Sequence, residues 1–110
     1  MPAPPHIPKA MRLRVLARYG GKCAYCGAPN PRTIDHIVAK ADRRRAGIDD
    51  LDETYLVPAC LGDNVLKGTR RLVPPSWAEK VDALNSFFGG VEFRVWRGSV
   101  QEPAYAEVWK

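Results

Sequence analysis

Two short knuckles constrain this chain more than any other feature. Cys23-x-x-Cys26 and Cys60-x-x-Asp63 each set two metal-ligating side chains three positions apart, with a longer segment between the pairs. Zinc wants four soft or borderline donors at tetrahedral corners, and two knuckles are the usual way for one chain to supply them. On this reading Cys23, Cys26, Cys60 and Asp63 close a structural zinc site, the carboxylate being less committed to zinc than the thiolates. The alternative is a site whose three thiols are only buried and reduced. Three Cys is an odd count, which suits a knuckle better than a secreted disulfide framework and points to a reducing compartment.

A chain of 110 residues, 45% of them hydrophobic, can build one modest core, so a single domain is expected. Ten prolines and nine glycines imply short elements and many turns, and a small core of that kind often needs a metal or disulfide staple. The first residues, Met1-Pro-Ala-Pro-Pro-His-Ile-Pro, contain no apolar run of signal-peptide length, and no stretch is long enough to span a bilayer. The expectation is a soluble, cytoplasmic protein with no membrane partner. Seventeen Lys and Arg against twelve Asp and Glu leave a formal charge of +5. A field of that sign favours a polyanion, with nucleic acid the leading candidate, although many small basic proteins bind none.

In chain order, residues 1–8 read as an extended proline-rich arm. Apolar Met11, Val15, Leu16 and Tyr19 recur at helical spacing from Lys9 to Tyr19, with Arg12, Arg14 and Arg18 mostly elsewhere and Gly20-Gly21 as the stop. These arginines are either phosphate contacts or a solvated face. The β-branched run Thr33-Ile34-Asp35-His36-Ile37-Val38 predicts a strand that carries two chemically capable side chains. Ala39 to Glu53 is highly charged and reads as an exposed loop with room for a helical turn. Tyr55-Leu-Val-Pro58 predicts a second strand and Cys60 to Gly68 a turn into a helix. Ser76-Trp-Ala-Glu79 has capping-box spacing and opens a helix through Val81, Leu84 and Phe87 or Phe88. Alternating apolar residues in Val91–Arg97 and Ala104–Lys110 predict a terminal β-hairpin.

Taken together, Cys23-x-x-Cys26-Gly27, Thr33-Ile-Asp35-His36-Ile-Val and Leu56-Val-Pro-Ala-Cys60-x-x-Asp63-Asn64-x-x-Lys67-Gly68-x-Arg70 resemble the zinc-stapled HNH endonucleases. The match spans about residues 12–71. The resemblance implies a ββα-metal (His-Me finger) core in which the Asp-His strand and the helix after the second knuckle grip one divalent ion. With the knuckles, flanking helices and C-terminal hairpin, the expected class is α+β, divided into the arm (1–8), the nuclease core (9–73) and a C-terminal extension packed on it (74–110).

Residue by residue, the resemblance makes His36 the general base that takes a proton from water, a task that suits an imidazole titrating near neutrality. It makes Asp35 and Asn64 the ligands of a catalytic ion, which offsets charge on the scissile phosphate and the departing 3′ oxygen. With Asn as a neutral oxygen ligand, Mg²⁺ or Mn²⁺ is the expected ion. Neighbours on a regular strand point to opposite faces, so this family places its His at the strand end, where the backbone loosens. The chain departs from the pattern at three positions. Tyr55 stands where many relatives have a loop-bracing Asn, which leaves that role to Thr54 or Asp52. Asp63 stands where most have a fourth Cys, and Asn64 where others have His.

Lys40, Arg43, Arg44, Arg45, Lys67, Arg70 and Arg71 are the candidate DNA contacts, with a solvated surface as the other reading. Trp77, Trp96 and Trp109, with Tyr105, either stack bases or belong to the core. An exposed hairpin edge offers a route to a homodimer. The expected activity is DNA phosphodiester hydrolysis, a single finger nicking one strand and a dimer cutting both; the compact size resembles stand-alone phage and mobile-element enzymes. A catalytically inactive zinc-stapled DNA-binding module is the alternative, and a protein-interaction adaptor using the Trp-bearing tail is a third reading.

Overall fold

The helical spacing of Met11, Val15 and Leu16 is realised as α1 (Lys9–Arg18) in the computed structural model, which describes residues 7–97. Val15 is its buried anchor, and Gly20 and Gly21, both at positive φ, turn the chain back as the sequence predicts. Most of the proline arm lies outside the described residues.

The Asp-His run forms β1 (Thr33–His36), two residues shorter than predicted because the chain bends at Ile37 and Val38. It pairs antiparallel with β2 (Leu56–Ala59), Thr33 facing Ala59 and His36 facing Leu56. All four β2 residues are buried. Tyr55 ends a short 3₁₀ turn, Glu53–Tyr55, whose first N–H groups are capped when Asp52 accepts from the Thr54 amide at 3.0 Å, so the strand begins one residue later than the apolar run suggests. α3 (Leu61–Lys67) follows at once and packs against β1. The first knuckle is tied to the same sheet: the Ala24 amide donates to the Pro58 carbonyl at 2.9 Å.

The charged segment after β1 is a helix rather than a loop. α2 (Lys40–Ala46) ends at Gly47, which adopts φ 72°, and the helix holds because its charges find partners. Asp42 is buried and takes Arg71 in two bonds, 2.9 and 3.1 Å, together with Arg45. A buried carboxylate with two guanidinium partners is stable where a lone one is not.

The tail joins the core. Ser76 makes no capping bond; Pro75–Lys80 winds as a 3₁₀ helix that runs into α4 (Val81–Phe88). β4 (Arg94–Val95) pairs in parallel with β3 (Leu72–Val73), Leu72 facing Arg94. The predicted partner strand Ala104–Lys110, and with it the hairpin edge proposed for a dimer, lies outside the described residues. Trp77, Trp96, Phe93 and Leu84 share one apolar cluster with Ile37, Val38, Val57 and Val73. The result is a small α+β domain. Among the described residues no helix is long and apolar enough to cross a membrane.

Candidate metal centre and catalytic strand

The two knuckles meet. The sulfur atoms of Cys23, Cys26 and Cys60 and a carboxylate oxygen of Asp63 all lie within 4.8 Å of one another. Cys23 Sγ is 3.4 Å from Asp63 Oδ2, and Cys26 Sγ is 3.4 Å from Cys60 Sγ. A tetrahedral ion with zinc–sulfur bonds of about 2.3 Å sets its ligands roughly 3.8 Å apart, so the cluster has the size of a zinc site. Gly27, at φ 78°, turns the chain directly after Cys26. The Cys23 sulfur also accepts from the amides of Tyr25 at 3.4 Å and Cys60 at 3.3 Å.

No disulfide forms among the three cysteines. Burial pushes the Cys26 thiol well above its ordinary range and the hydrogen bond to Asp63 adds to this; burial also raises Cys60. Crowded donors of that kind hold their protons until a cation takes their place. The donor set therefore fits a metal such as zinc.

Asp35 points inward from β1. Its Oδ2 accepts from the Tyr25 hydroxyl and, at 2.9 Å, from Lys67 Nζ. Lys67 also donates to the carbonyls of His36 at 3.0 Å and Ile37 at 3.2 Å, and sits 5.9 Å above the Tyr25 ring. Only 2% exposed, it is a buried ion-pair partner and not the surface phosphate contact expected from its place after the second knuckle. Burial, then the Asp35 charge, raises the Tyr25 phenol, which stays protonated as a donor. Two residues back along the same face, Thr33 accepts at 3.1 Å from Asn64 Nδ2 and donates to the Ala59 carbonyl. Asp35 and Asn64 thus share the face of β1 that α3 covers, but each is held by its own protein partner.

His36, the last residue of β1, turns to the other side. Its Nε2 lies 2.9 Å from the Asp50 carbonyl. A carbonyl only accepts, so Nε2 carries the hydrogen and Nδ1 is left with its lone pair. Burial lowers the imidazole pKa below its usual 6.5, and nearby Arg43 adds to this against the opposing Asp50 carbonyl bond. Arg43 holds the loop that supplies that carbonyl: it donates through Nε to Asp50 Oδ1 at 2.9 Å and to the Val38 carbonyl at 2.6 Å. Arg43 is 5% exposed, so it braces the loop from inside and cannot reach DNA as expected. The Asp50 carbonyl orients His36, and Asp52 caps the next turn through the Thr54 amide. A main-chain acceptor leaves no signature in the sequence. Tyr25, also missed, had one: an aromatic inside the first knuckle.

The other basic candidates divide. Arg45 and Arg71 converge on Asp42, Arg70 donates to the Leu66 carbonyl at 2.8 Å, and Lys40 and Arg44 are exposed. Trp77 and Trp96 are 5% and 2% exposed, packed against Tyr55 and Tyr25 respectively, and so are core residues rather than base-stacking surfaces. Trp109 and Tyr105 lie outside the described residues. No family model, curated protein or solved structure matches the chain.

Proposed function

We propose that the protein is a metal-dependent endonuclease of the HNH class that hydrolyses DNA phosphodiester bonds. The observation that carries this reading is His36, whose Nε2 is fixed on the Asp50 carbonyl at a strand end while Nδ1 keeps a lone pair for a water proton. Burial keeps the imidazole neutral at pH 7, as a general base must be.

Both donors on Asp35 land on Oδ2, and Asn64 spends its amide nitrogen on Thr33. The oxygens remaining, Oδ1 of each, are hard donors of the kind that Mg²⁺ or Mn²⁺ takes. An ion bound there would offset charge on the phosphate and on the leaving 3′ oxygen. The Cys23, Cys26, Cys60 and Asp63 centre would hold zinc as a staple, fastening the first knuckle to β2 and α3.

A second reading, a DNA-binding module without catalysis, is favoured by one observation: the Lys67 ammonium already neutralises the Asp35 carboxylate. Zinc-loaded protein mixed with supercoiled plasmid separates the two. The nuclease reading expects open circles on adding Mg²⁺ or Mn²⁺ and none when both are omitted. A plasmid left intact under every condition, yet retarded on a gel, supports the binding module instead.

A further inference from the structure

The cations of α1 fall into two sets. Arg14 and Arg18 reach Glu53: Arg14 Nε donates to Oε1 at 2.8 Å, and Arg18 donates to Oε2 at 3.4 Å and to the Glu53 carbonyl at 3.1 Å. Their charge is spent on fastening α1 to the turn before β2. Lys9 and Arg12 lie elsewhere on the helix, where with Arg32 they rim a cleft of about 190 Å³ whose apolar lining includes Leu13, Leu16 and Ile34. All three cations are exposed, none forms an ion pair among the described residues, and no acidic residue lines the cleft.

Three like charges around one concavity repel one another and focus a positive field into it. The cleft also has a position relative to the candidate chemistry. Thr33 lines it and opens β1, and His36 closes β1 three residues later. At a strand rise of about 3.3 Å per residue the separation is roughly 10 Å, short enough for one duplex to lie over both.

We propose that this cleft is a track for the DNA backbone, in which Lys9, Arg12 and Arg32 take phosphates flanking the one to be cut while the apolar lining faces the deoxyribose. The choice of DNA as the polyanion rests on the nuclease reading. Contacts of this type supply affinity and register without reading bases.

The test is the salt dependence of binding to a fluorescently labelled duplex, measured by anisotropy with zinc-loaded protein and no Mg²⁺, so that nothing is cut. Each phosphate contact contributes about 0.9 to the slope of log K against log salt, so the variant Lys9→Gln/Arg12→Gln/Arg32→Gln should flatten that slope by up to about 2.7. Between roughly 50 and 200 mM salt it should also bind at least tenfold more weakly than wild type. The control variant Arg14→Gln/Arg18→Gln should move the slope much less. All three substituted side chains are exposed, so the melting temperature serves as the check on folding. A triple variant with wild-type slope and affinity overturns the proposal, and so does a control variant that flattens the slope equally. Loss of binding in the triple variant, beside a wild-type protein that never nicks plasmid, keeps the cleft and removes the nuclease.

Discussion

Around the knuckles, four donor atoms face mainly one another, whereas along β1 the chemically capable side chains are each gripped by a different protein group. Cys23, Cys26, Cys60 and Asp63 crowd into one small volume, with burial holding two of the thiols protonated. Asp35 is held by Tyr25 and Lys67, Asn64 by Thr33, and His36 by the Asp50 carbonyl. Donors that face mainly one another gain most from an ion, so the knuckle region should depend on metal for its fold. Groups already satisfied by neighbours keep their arrangement without an ion, and any ion there adds function rather than structure.

The largest expected effect follows from removing the metal. Structural zinc contributes on the order of 10 kcal/mol to small metal-stapled folds, so chelation should abolish cooperative thermal unfolding and collapse amide chemical-shift dispersion, and elemental analysis should find one zinc per chain beforehand. A metal-free protein that melts as the untreated one does would mean that the three thiols are reduced but hold no structural ion.

On the strand side, the sharpest test of pre-satisfied groups is Lys67→Met. It strips the buried Asp35 of its ammonium partner and two carbonyls of their donor, and should cost about 3–5 kcal/mol in chemical denaturation. A cost below about 1 kcal/mol would show that Asp35 does not depend on the pair.

A smaller effect comes from the tie between α2 and the segment before β3. Arg71, and then Arg45, hold the Asp42 carboxyl below its ordinary range. Its stabilising contribution is therefore present above the unfolded carboxylate range near pH 4, and is lost as pH falls through the lower folded value. Asp42→Asn should cost about 1–2 kcal/mol at pH 7 and leave a flatter acid limb, read from urea midpoints across pH. An acid limb unchanged by the substitution would place that pH dependence elsewhere.

Where structure depended on local pattern, the sequence was readable. The knuckle spacing, the helical run of α1, and the order strand, strand, helix from β1 to α3 all rest on periodicity or on ligand intervals of a few residues. Charged residues were harder to place. Asp42, Arg43 and Lys67 looked like solvated or DNA-facing groups because composition does not reveal a partner, and their partners are Arg71, the Val38 carbonyl with Asp50, and Asp35, the first and last far off in the chain. The same holds for the parallel pairing of Leu72 with Arg94, which no turn of fixed length specifies. For the candidate site, the placement of Asp35 and His36 on one strand and of Asn64 on the helix after the second knuckle could be read, but not the Tyr25 and Lys67 grip on Asp35, nor the carbonyl that orients His36.

The most direct test of the account combines a nicking rate with zinc content in His36→Ala. General-base catalysis contributes about 10²- to 10⁴-fold, so the variant should retain one zinc and a wild-type melting transition while plasmid nicking with Mg²⁺ falls by at least about a hundredfold. A folded, zinc-replete His36→Ala protein that nicks as fast as wild type would contradict the account.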